Sequence, residues 1–262
     1  MKCFFYLSPL VLQTLIWVPT RLLFRFFLHL EIRGFVRLLP YTNYTRPRDI
    51  CVGKNTQRQE HCGVIFAVNH SSELDPILVP GSLPFLSPLM PMFYTSREQT
   101  FYKTSGWRQF FYGGFLFKLW GSHPVRSGRQ NYEESLKTHI EILNRGRSIC
   151  IFPEGKKTRD GNVGTDAHGG VAYLSWRTKA PVVPVRVKGV FKMTFRDFLF
   201  RKRRVEVIFG APFSPGELFY TNDTRPRGIC VGDIPLLQNV SSPSLAEIKT
   251  AANRVLGAIR RL

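Results

Sequence analysis

The chain has 262 residues, of which 44% are hydrophobic, and this suits one large α/β domain or two small ones. It carries 37 Lys and Arg against 18 Asp and Glu, a net charge of +19 that predicts a polyanionic partner: nucleic acid, anionic lipid or a phosphorylated substrate. The five cysteines are scattered and include no C-x-x-C pair, which argues against a disulfide framework or a zinc site and favours reduced thiols facing the cytosol.

The N-terminal segment, residues 1–40, has the composition of a membrane-associated helical segment. Residues 3–20 are uncharged and mostly apolar, although two prolines and several polar residues weaken them as a spanning helix, which needs about 20 apolar residues. Four arginines then recur at roughly helical spacing: Arg21, Arg25, Arg33 and Arg37. We predict a membrane-binding helical pair over 3–39; if it spans, the arginine excess puts the protein's body on the cytoplasmic face. The alternative is a helix packed on the domain core.

An internal repeat follows. Residues 41–53 and 220–232 match at eleven of thirteen positions and are rich in Asn, Thr, Pro and Gly. This composition is typical of surface loops, and long insertions in loops cost little closure entropy. We predict that both copies are inserted loops; the alternative is a paired basic patch.

The apolar run 63–69 predicts a buried strand, and the stretch from His70 to Asp75 follows it directly. His70 is therefore expected at the carboxyl end of a strand, where ligands collect in open α/β sheets. Groups five residues apart on a regular helix diverge by about 140°, whereas a turn could fold the Asp75 carboxylate back onto the imidazole. That pairing would orient a general base. The alternative is that Asp75 caps a short helix with Pro76 at its first position, and His70 is a loop histidine.

Strands and helices alternate along the rest of the chain. Residues 80–93 predict loop and short helix, 107–120 a buried or lipid-facing helix, and 121–129 a loop with two arginines. Strands are predicted at 148–152, 182–187 and 205–209, and helices at 130–145, 169–179 and 245–261, the last with a capping box of Ser244 and Glu247. The class is α/β, with residues 60–262 as a single domain around a central mixed, largely parallel sheet flanked by helices.

The segment that follows the strand at 148–152 combines glycine with cations. It contains Glu154, Gly155, Lys156, Lys157 and Arg159. Backbone N–H groups and cationic side chains at a strand end suit a phosphate group. The alternative is a solvated basic turn.

Four segments stand in a fixed order: Asn69–Asp75, Gly121–Arg126, Phe152–Gly155 and Val183–Val185. Together they resemble the boxes of the glycerolipid acyltransferase family: N-H-x-x-x-x-D, a glycine-to-arginine box, F-P-E-G-T-R-S and a V-P-[VI] strand. The resemblance covers about residues 62–212. Two boxes depart from the pattern, because Lys157 stands where the family has arginine, unless Arg159 substitutes, and the usual acidic residue before Arg126 is missing. Lysine keeps the charge but loses bidentate geometry.

The resemblance implies that His70 is the general base and Asp75 its partner, with no covalent intermediate, metal or cofactor. Arg126, with Arg129 as a rival, would bind the acceptor's phosphate beside Glu154 and Gly155. The acyl group would pass from acyl-CoA or acyl-carrier-protein to 1-acylglycerol 3-phosphate, giving phosphatidic acid for phospholipid biosynthesis. Glycerol 3-phosphate or another lysophospholipid are alternative acceptors, and a non-catalytic basic protein is the alternative class. Membrane lipid is the expected partner, and nucleic acid is not expected.

Overall fold

One seven-stranded sheet organises the computed structural model, which describes residues 4–38, 63–96, 118–125, 131–219 and 242–262. The strands are β1 (Glu31–Arg33), β2 (Ile65–Val68), β3 (Met92–Ser96), β4 (Ser122–Pro124), β5 (Ser148–Ile151), β6 (Val182–Lys188) and β7 (Glu206–Phe209). Their order is β1-β7-β6-β2-β5-β3-β4. Those from β6 to β4 are parallel, β7 is antiparallel to β6, and β1 is parallel to β7. The predicted mixed, largely parallel sheet is confirmed.

Helices cover both faces of the sheet. They are α1 (Phe4–Phe27), α2 (Asp75–Ser82), α3 (Tyr132–Ser135), α4 (Lys137–Asn144), α5 (Gly170–Thr178), α6 (Phe195–Leu199), α7 (Pro215–Phe219) and α8 (Leu245–Arg261), with a 3₁₀ turn at Phe35–Leu38. Residues of α1 and α2 share a core with Phe66 and Val68, whereas α4, α5 and α8 share one with Ile65 and Ala67. Successive side chains of β2 thus enter opposite cores, as the two-residue period of a strand requires.

The capping box predicted at Ser244 and Glu247 is confirmed. The Ser244 side chain accepts a hydrogen bond from the backbone N–H of Glu247, whose carboxylate accepts from the Ser244 N–H, and α8 begins at the next residue. The predicted helix 130–145 is present but interrupted at Leu136, where α3 ends and α4 begins. Gly146 follows α4 with a φ of +72°, the left-handed conformation that glycine adopts without strain.

The prediction of a second helix in the N-terminal segment is wrong. Residues Glu31–Arg33 form strand β1, which pairs with Glu206–Ile208 of β7. The spacing of Arg33 and Arg37 suggested a helix, but the backbone groups of this segment find partners on the open edge of β7. Glu31 also bonds to Arg33 and to Arg204, so charged side chains hold this edge strand in place.

Two strands were missed in segments that were predicted to be mainly loop. Strand β3 begins at Met92, within the proline-rich stretch 80–93, and β4 lies inside the predicted loop 121–129. Both are short, and their neighbours supply the pairing that local sequence does not indicate. The repeats 41–53 and 220–232, residues 107–117 of the predicted aromatic helix, Arg126 and Arg129 lie outside the described residues.

Helix α1 places polar atoms against the domain and apolar side chains away from it. The buried Gln13 donates to the carbonyls of Met92 and Trp120 at 2.7 and 2.9 Å and accepts from the Met92 N–H at 2.9 Å. The Trp17 indole and the Arg21 guanidinium donate to carbonyls at the end of α2. The outward stripe is apolar and exposed, and it consists of Leu7, Val11, Leu15, Val18, Leu22 and Phe26.

This polarity is the reverse of that of an amphipathic helix packed on a water-soluble domain. The segment Leu7–Phe27 is also long and apolar enough, by length and composition, to cross a membrane. Because its hydrogen bonds attach α1 to β3 and α2, the helix lies along the domain.

We expect Gln13→Leu to lower the free energy of unfolding by about 1–3 kcal/mol, because the buried N–H and C=O groups of Met92 lose their partner. The exposed Leu15→Ala is the matched control and should change it by less than about 0.5 kcal/mol. Denaturant unfolding of the detergent-solubilised protein measures both. Equal stability of the two variants would contradict the docking of α1 by hydrogen bonds.

Candidate active site

His70 lies just beyond the carboxyl end of β2, the strand between β5 and β6. The side chain of Asn69 fixes the direction in which the chain leaves the sheet. Its amide donates to the Val187 carbonyl at 3.0 Å, and its oxygen accepts from the Val187 N–H at 2.7 Å. A buried side chain thus continues the pairing with β6 where the backbone of β2 turns away, and the next residue, His70, faces the end of the sheet.

The carboxylate of Asp75 folds back onto the loop that carries His70, as the turn hypothesis predicted. Its Oδ2 atom accepts the N–H groups of Ser71 and Ser72 at 2.7 and 2.8 Å and lies 3.0 Å from His70 Nδ1. Asp75 is the first residue of α2, with Pro76 next, and it makes no N-cap hydrogen bond. The alternative role as helix cap is therefore wrong, although the short helix is present.

This arrangement determines how the imidazole presents its nitrogens. Asp75 is fully buried, whereas the His70 side chain is 20% exposed. Since a carboxylate only accepts hydrogen bonds, Nδ1 is the donor, and Nε2 of the neutral ring is left as an acceptor. A base needs this form of histidine.

Two aromatic residues support the segment that carries this pair. Phe152 follows β5, the neighbour of β2, and its ring stacks on the His70 imidazole with centroids 4.2 Å apart and planes at 22°. The phenol of Tyr94 in β3 donates to the Pro76 carbonyl at 2.7 Å and so fixes the start of α2. Burial raises the pKa of Tyr94, which keeps the phenol protonated as a donor. Ring and carboxylate are thus both held in position.

Glu154 ties the basic loop after β5 to the histidine loop. Its carboxylate accepts from the His70 N–H at 3.2 Å and from the Gly164 N–H at 3.0 Å. The Thr158 N–H in turn donates to the His70 carbonyl at 2.8 Å. Both backbone groups of His70 are therefore bonded to the loop, and the buried Glu154 acts on the backbone of His70.

Gly155 is needed where it stands. Its φ is +64°, and a Cβ added to it would lie 2.5 Å from the His168 ring. The backbone N–H of His168 donates to the Pro153 carbonyl at 2.8 Å, so the main chain that carries this ring is held against the loop. A side chain at this position would therefore displace the loop from His70.

The cations of the loop differ in their surroundings. The ammonium of Lys157 pairs with the Glu73 carboxylate and so joins the loop to the histidine segment. Lys156 and Arg159 are exposed. Beyond them the chain turns on Asp160, whose carboxylate bonds to Asn162 and Thr158, and these hydrogen bonds lower the pKa of Asp160 to about 2.

The structure therefore brings most of the predicted site residues together. His70, Asp75, Glu154 and Gly155 lie in one cluster, and Lys157 joins it through Glu73. Arg159 is exposed two residues further along the loop. Arg126 lies outside the described residues, although Ser122–Pro124 just before it forms β4, which is parallel to β3.

Two contributors were not predicted. One is Glu73, because nothing in the local sequence indicates its distant partner Lys157. The stacking of Phe152 on His70 follows from the adjacency of β2 and β5, in which Ala67 is in register with Ile151. Strand order could have indicated that contact, but single-sequence patterns do not give it.

Comparison with known proteins identifies this cluster. The sequence model of the acyltransferase family matches residues 49–188, more than half of the chain, and the match includes both the histidine loop and the basic loop. The chain belongs to the acyltransferase family. The resemblance drawn from the four boxes is thereby confirmed.

Several curated relatives of this acyltransferase-family chain carry one name. A 1-acyl-sn-glycerol-3-phosphate acyltransferase of Bacillus subtilis (strain 168) is 29% identical over 152 residues, which are 57% of this chain and 66% of that protein. A probable enzyme of the same name from Mycoplasma pneumoniae is 23% identical over 164 residues, 58% of this chain and 57% of its own. Another from Limnanthes douglasii is 26% identical over 147 residues, which are 55% of this chain and 47% of that protein. The chain thus spans less than two thirds of their length.

We expect Glu154→Ala to loosen the histidine loop, because the N–H groups of His70 and Gly164 both lose the carboxylate that accepts their hydrogen bonds. The loss should be about 1–3 kcal/mol of local stability and appear as faster hydrogen exchange at these two amides. Asp166→Ala removes an exposed ion pair with Lys249 and is the matched control. Unchanged exchange at His70 in the Glu154 variant would refute the bridging role.

Proposed function

We propose that the protein transfers a fatty acyl group from a thioester to the free hydroxyl of 1-acylglycerol 3-phosphate, with His70 as general base. The observation that carries this proposal is the buried Asp75 carboxylate 3.0 Å from His70 Nδ1, which leaves Nε2 as an acceptor. Membership of the acyltransferase family supports the reaction class. The names of the relatives support this acceptor.

The proposed reaction needs one proton relay. His70 Nε2 takes the proton of the acceptor hydroxyl as its oxygen attacks the thioester carbonyl, and the imidazolium that forms is stabilised by Asp75. The tetrahedral intermediate then collapses, the C–S bond breaks, and the leaving thiolate takes the proton from His70. The products are phosphatidic acid and the free thiol of coenzyme A or acyl-carrier-protein. No covalent bond to the protein is formed.

The basic loop is the proposed site for the acceptor's phosphate. Lys156 and Arg159 are exposed there, and Lys157 pairs with Glu73. An exposed ion pair is worth about 0–1 kcal/mol, so a phosphate dianion can replace the Glu73 carboxylate. Arg126 is proposed as a further phosphate ligand on the family resemblance. The exposed cations also suit glycerol 3-phosphate, which an acceptor panel would distinguish.

We further propose that the protein is bound to the cytoplasmic face of a membrane, with α1 lying in the interface. The outward stripe of α1 is apolar along its whole described length. The opposite side holds Gln13 and Arg21, which bond to the domain. A helix docked in this way would have to detach from β3 and α2 in order to span, and an in-plane helix can instead bury its stripe in lipid.

His70→Ala should reduce acyl transfer to 1-acylglycerol 3-phosphate by at least about 10²-fold, because removing a general base costs that much. Thiol release from acyl-CoA or acyl-carrier-protein, measured with each acceptor in turn, gives the rate. Asp75→Asn should also be slow, because an amide can donate to Nδ1 and so favour the wrong tautomer.

The control for this assay is His29→Asn. His29 is exposed and 41 residues before His70 in the sequence, and asparagine tolerates the φ of +41° at this position. It should react at the wild-type rate. Turnover by His70→Ala equal to that of the control would rule out His70 as the base.

Glu73→Gln should lower the KM for the phosphate-bearing acceptor up to about fivefold at low salt, because the phosphate no longer competes with a carboxylate for Lys157. In Glu73→Gln, kcat should change little. Lys157→Ala should raise the KM for the same acceptor. If Glu73→Gln raised KM, the pair would position Lys157 rather than compete for it.

A further inference from the structure

The segment 191–204 between β6 and β7, here called the basic loop 191–204, is used by neither the site nor the sheet. It holds six cations against one carboxylate, together with four phenylalanines. Its only regular element is α6, five residues long, none of which is buried. A short helix without buried residues needs a reason to be ordered.

Local hydrogen bonds supply that order. The Thr194 side chain accepts from the Asp197 N–H at 3.1 Å, and the Asp197 carboxylate accepts from the Thr194 N–H at 3.0 Å, which is a complete capping box. The loop therefore presents its side chains in a defined arrangement. Phe195 is 76% exposed, Phe200 62% and Leu199 46%. Three large apolar side chains on one short helix and its end make an exposed patch of the kind that marks an interaction site.

One phenylalanine of the loop faces inward and attaches it to α1. The half-buried Phe198 stacks on Phe27, the last residue of α1, with centroids 5.0 Å apart. Phe195 stacks on Phe198 in turn at 6.4 Å. Phe26, which ends the apolar stripe of α1, is exposed beside Phe27. The apolar surface of α1 thus continues through Phe27, Phe198 and Phe195 to the basic loop 191–204.

The cations of the loop fall into two groups. Those nearest β7 are neutralised, because Arg204 pairs with Glu31 and Glu206, and Arg203 lies 3.5 Å from the carboxylate of Asp197. Four exposed cations have no carboxylate partner within the described ranges: Lys192, Arg196, Arg201 and Lys202, of which Arg201 lies 3.4 Å from the His29 Nδ1 atom. The Lys202 ammonium lies 6.0 Å from the centroid of the Phe200 ring, so cation and aromatic ring are side by side.

We propose that the basic loop 191–204 is a second membrane-contact element, separate from α1, which recognises anionic lipid. Phe195, Leu199 and Phe200 enter the interfacial region, while the unpaired cations contact lipid phosphates. Exposed aromatics interleaved with cations are typical of residues at this depth. Continuity with the apolar stripe of α1 favours a bilayer over a single-stranded nucleic acid, which would need stacking platforms along a groove.

The inference rests on the proposed membrane association of α1 but not on acyl transfer, so it is tested by binding without turnover. The full-length protein is mixed with vesicles of phosphatidylcholine, alone or with phosphatidylglycerol, and the bound fraction is measured by sedimentation at low and high salt. The charge variant is Arg196→Glu, with the exposed Lys137→Glu on α4 as control. The apolar variant is Phe195→Ser, with Leu245→Ser as control, because Leu245 is 60% exposed on α8.

A basic residue near an anionic surface raises partitioning about fivefold. Arg196→Glu should therefore lower binding to the phosphatidylglycerol vesicles by about fivefold or more at low salt, with less effect on phosphatidylcholine and at high salt. Phe195→Ser should lower binding to both vesicles by about tenfold, because burial of its ring is lost. Both control variants should bind as the wild type does.

Fluorescence adds a measurement that strong binding through α1 does not mask. Phe200→Trp should lose more emission than the wild type when the vesicles carry brominated acyl chains, and Leu245→Trp should not.

The loop proposal would be overturned if Arg196→Glu and Lys137→Glu bound vesicles equally and Phe200→Trp showed no extra quenching. Vesicle binding by the wild type would in that case still support the membrane association of α1. Failure of the wild type to bind either vesicle would overturn both membrane proposals and leave the acyl-transfer assay to judge catalysis. An RNA oligomer that binds more tightly than anionic vesicles, and is lost in Arg196→Glu, would instead make the loop a nucleic-acid surface.

Discussion

The buried carboxylate of Asp75 is the constraint on which the site depends. A charge removed from water must be fully satisfied, and here two backbone N–H groups and the imidazole of His70 do so from one side. This requires the chain to leave β2, turn within four residues and enter α2 at once. Asn69 and Tyr94 hold the two ends of that turn. The orientation of His70 is thus a by-product of solvating an anion inside the protein.

The same face of the sheet carries the site's helix and the proposed lipid contact. Helix α2 begins at Asp75 and ends against α1, where Arg21 bonds to the Gly81 carbonyl and Thr20 lies close to Gly81. One rigid helix therefore connects the histidine loop to the apolar stripe. A lipid acceptor can keep its acyl chain in the interface while its polar head reaches His70, and the net positive charge attracts that head.

Sequence patterns predicted what depends on local chemistry. The strand before His70, the capping box at Ser244 and the α/β class follow from periodicity and capping, and the four boxes brought out the family. These patterns could not predict which strands pair across the sheet. Strands β1, β3 and β4 have three to five residues each and form because a neighbour offers an open edge. The Glu73–Lys157 pair likewise joins residues 84 apart, which no local pattern encodes.

Strand β1 changes what a shortened protein would reveal. An N-terminal truncation that ends just after α1 removes the helix and keeps β1. A truncation that ends at residue 40 also removes β1, and it leaves N–H and C=O groups of β7 unpaired along Glu206–Ile208. Such an open border invites pairing with other chains. Insolubility of the shorter form would then arise from sheet-to-sheet association between molecules, and it would say nothing about how tightly the intact protein holds its lipid.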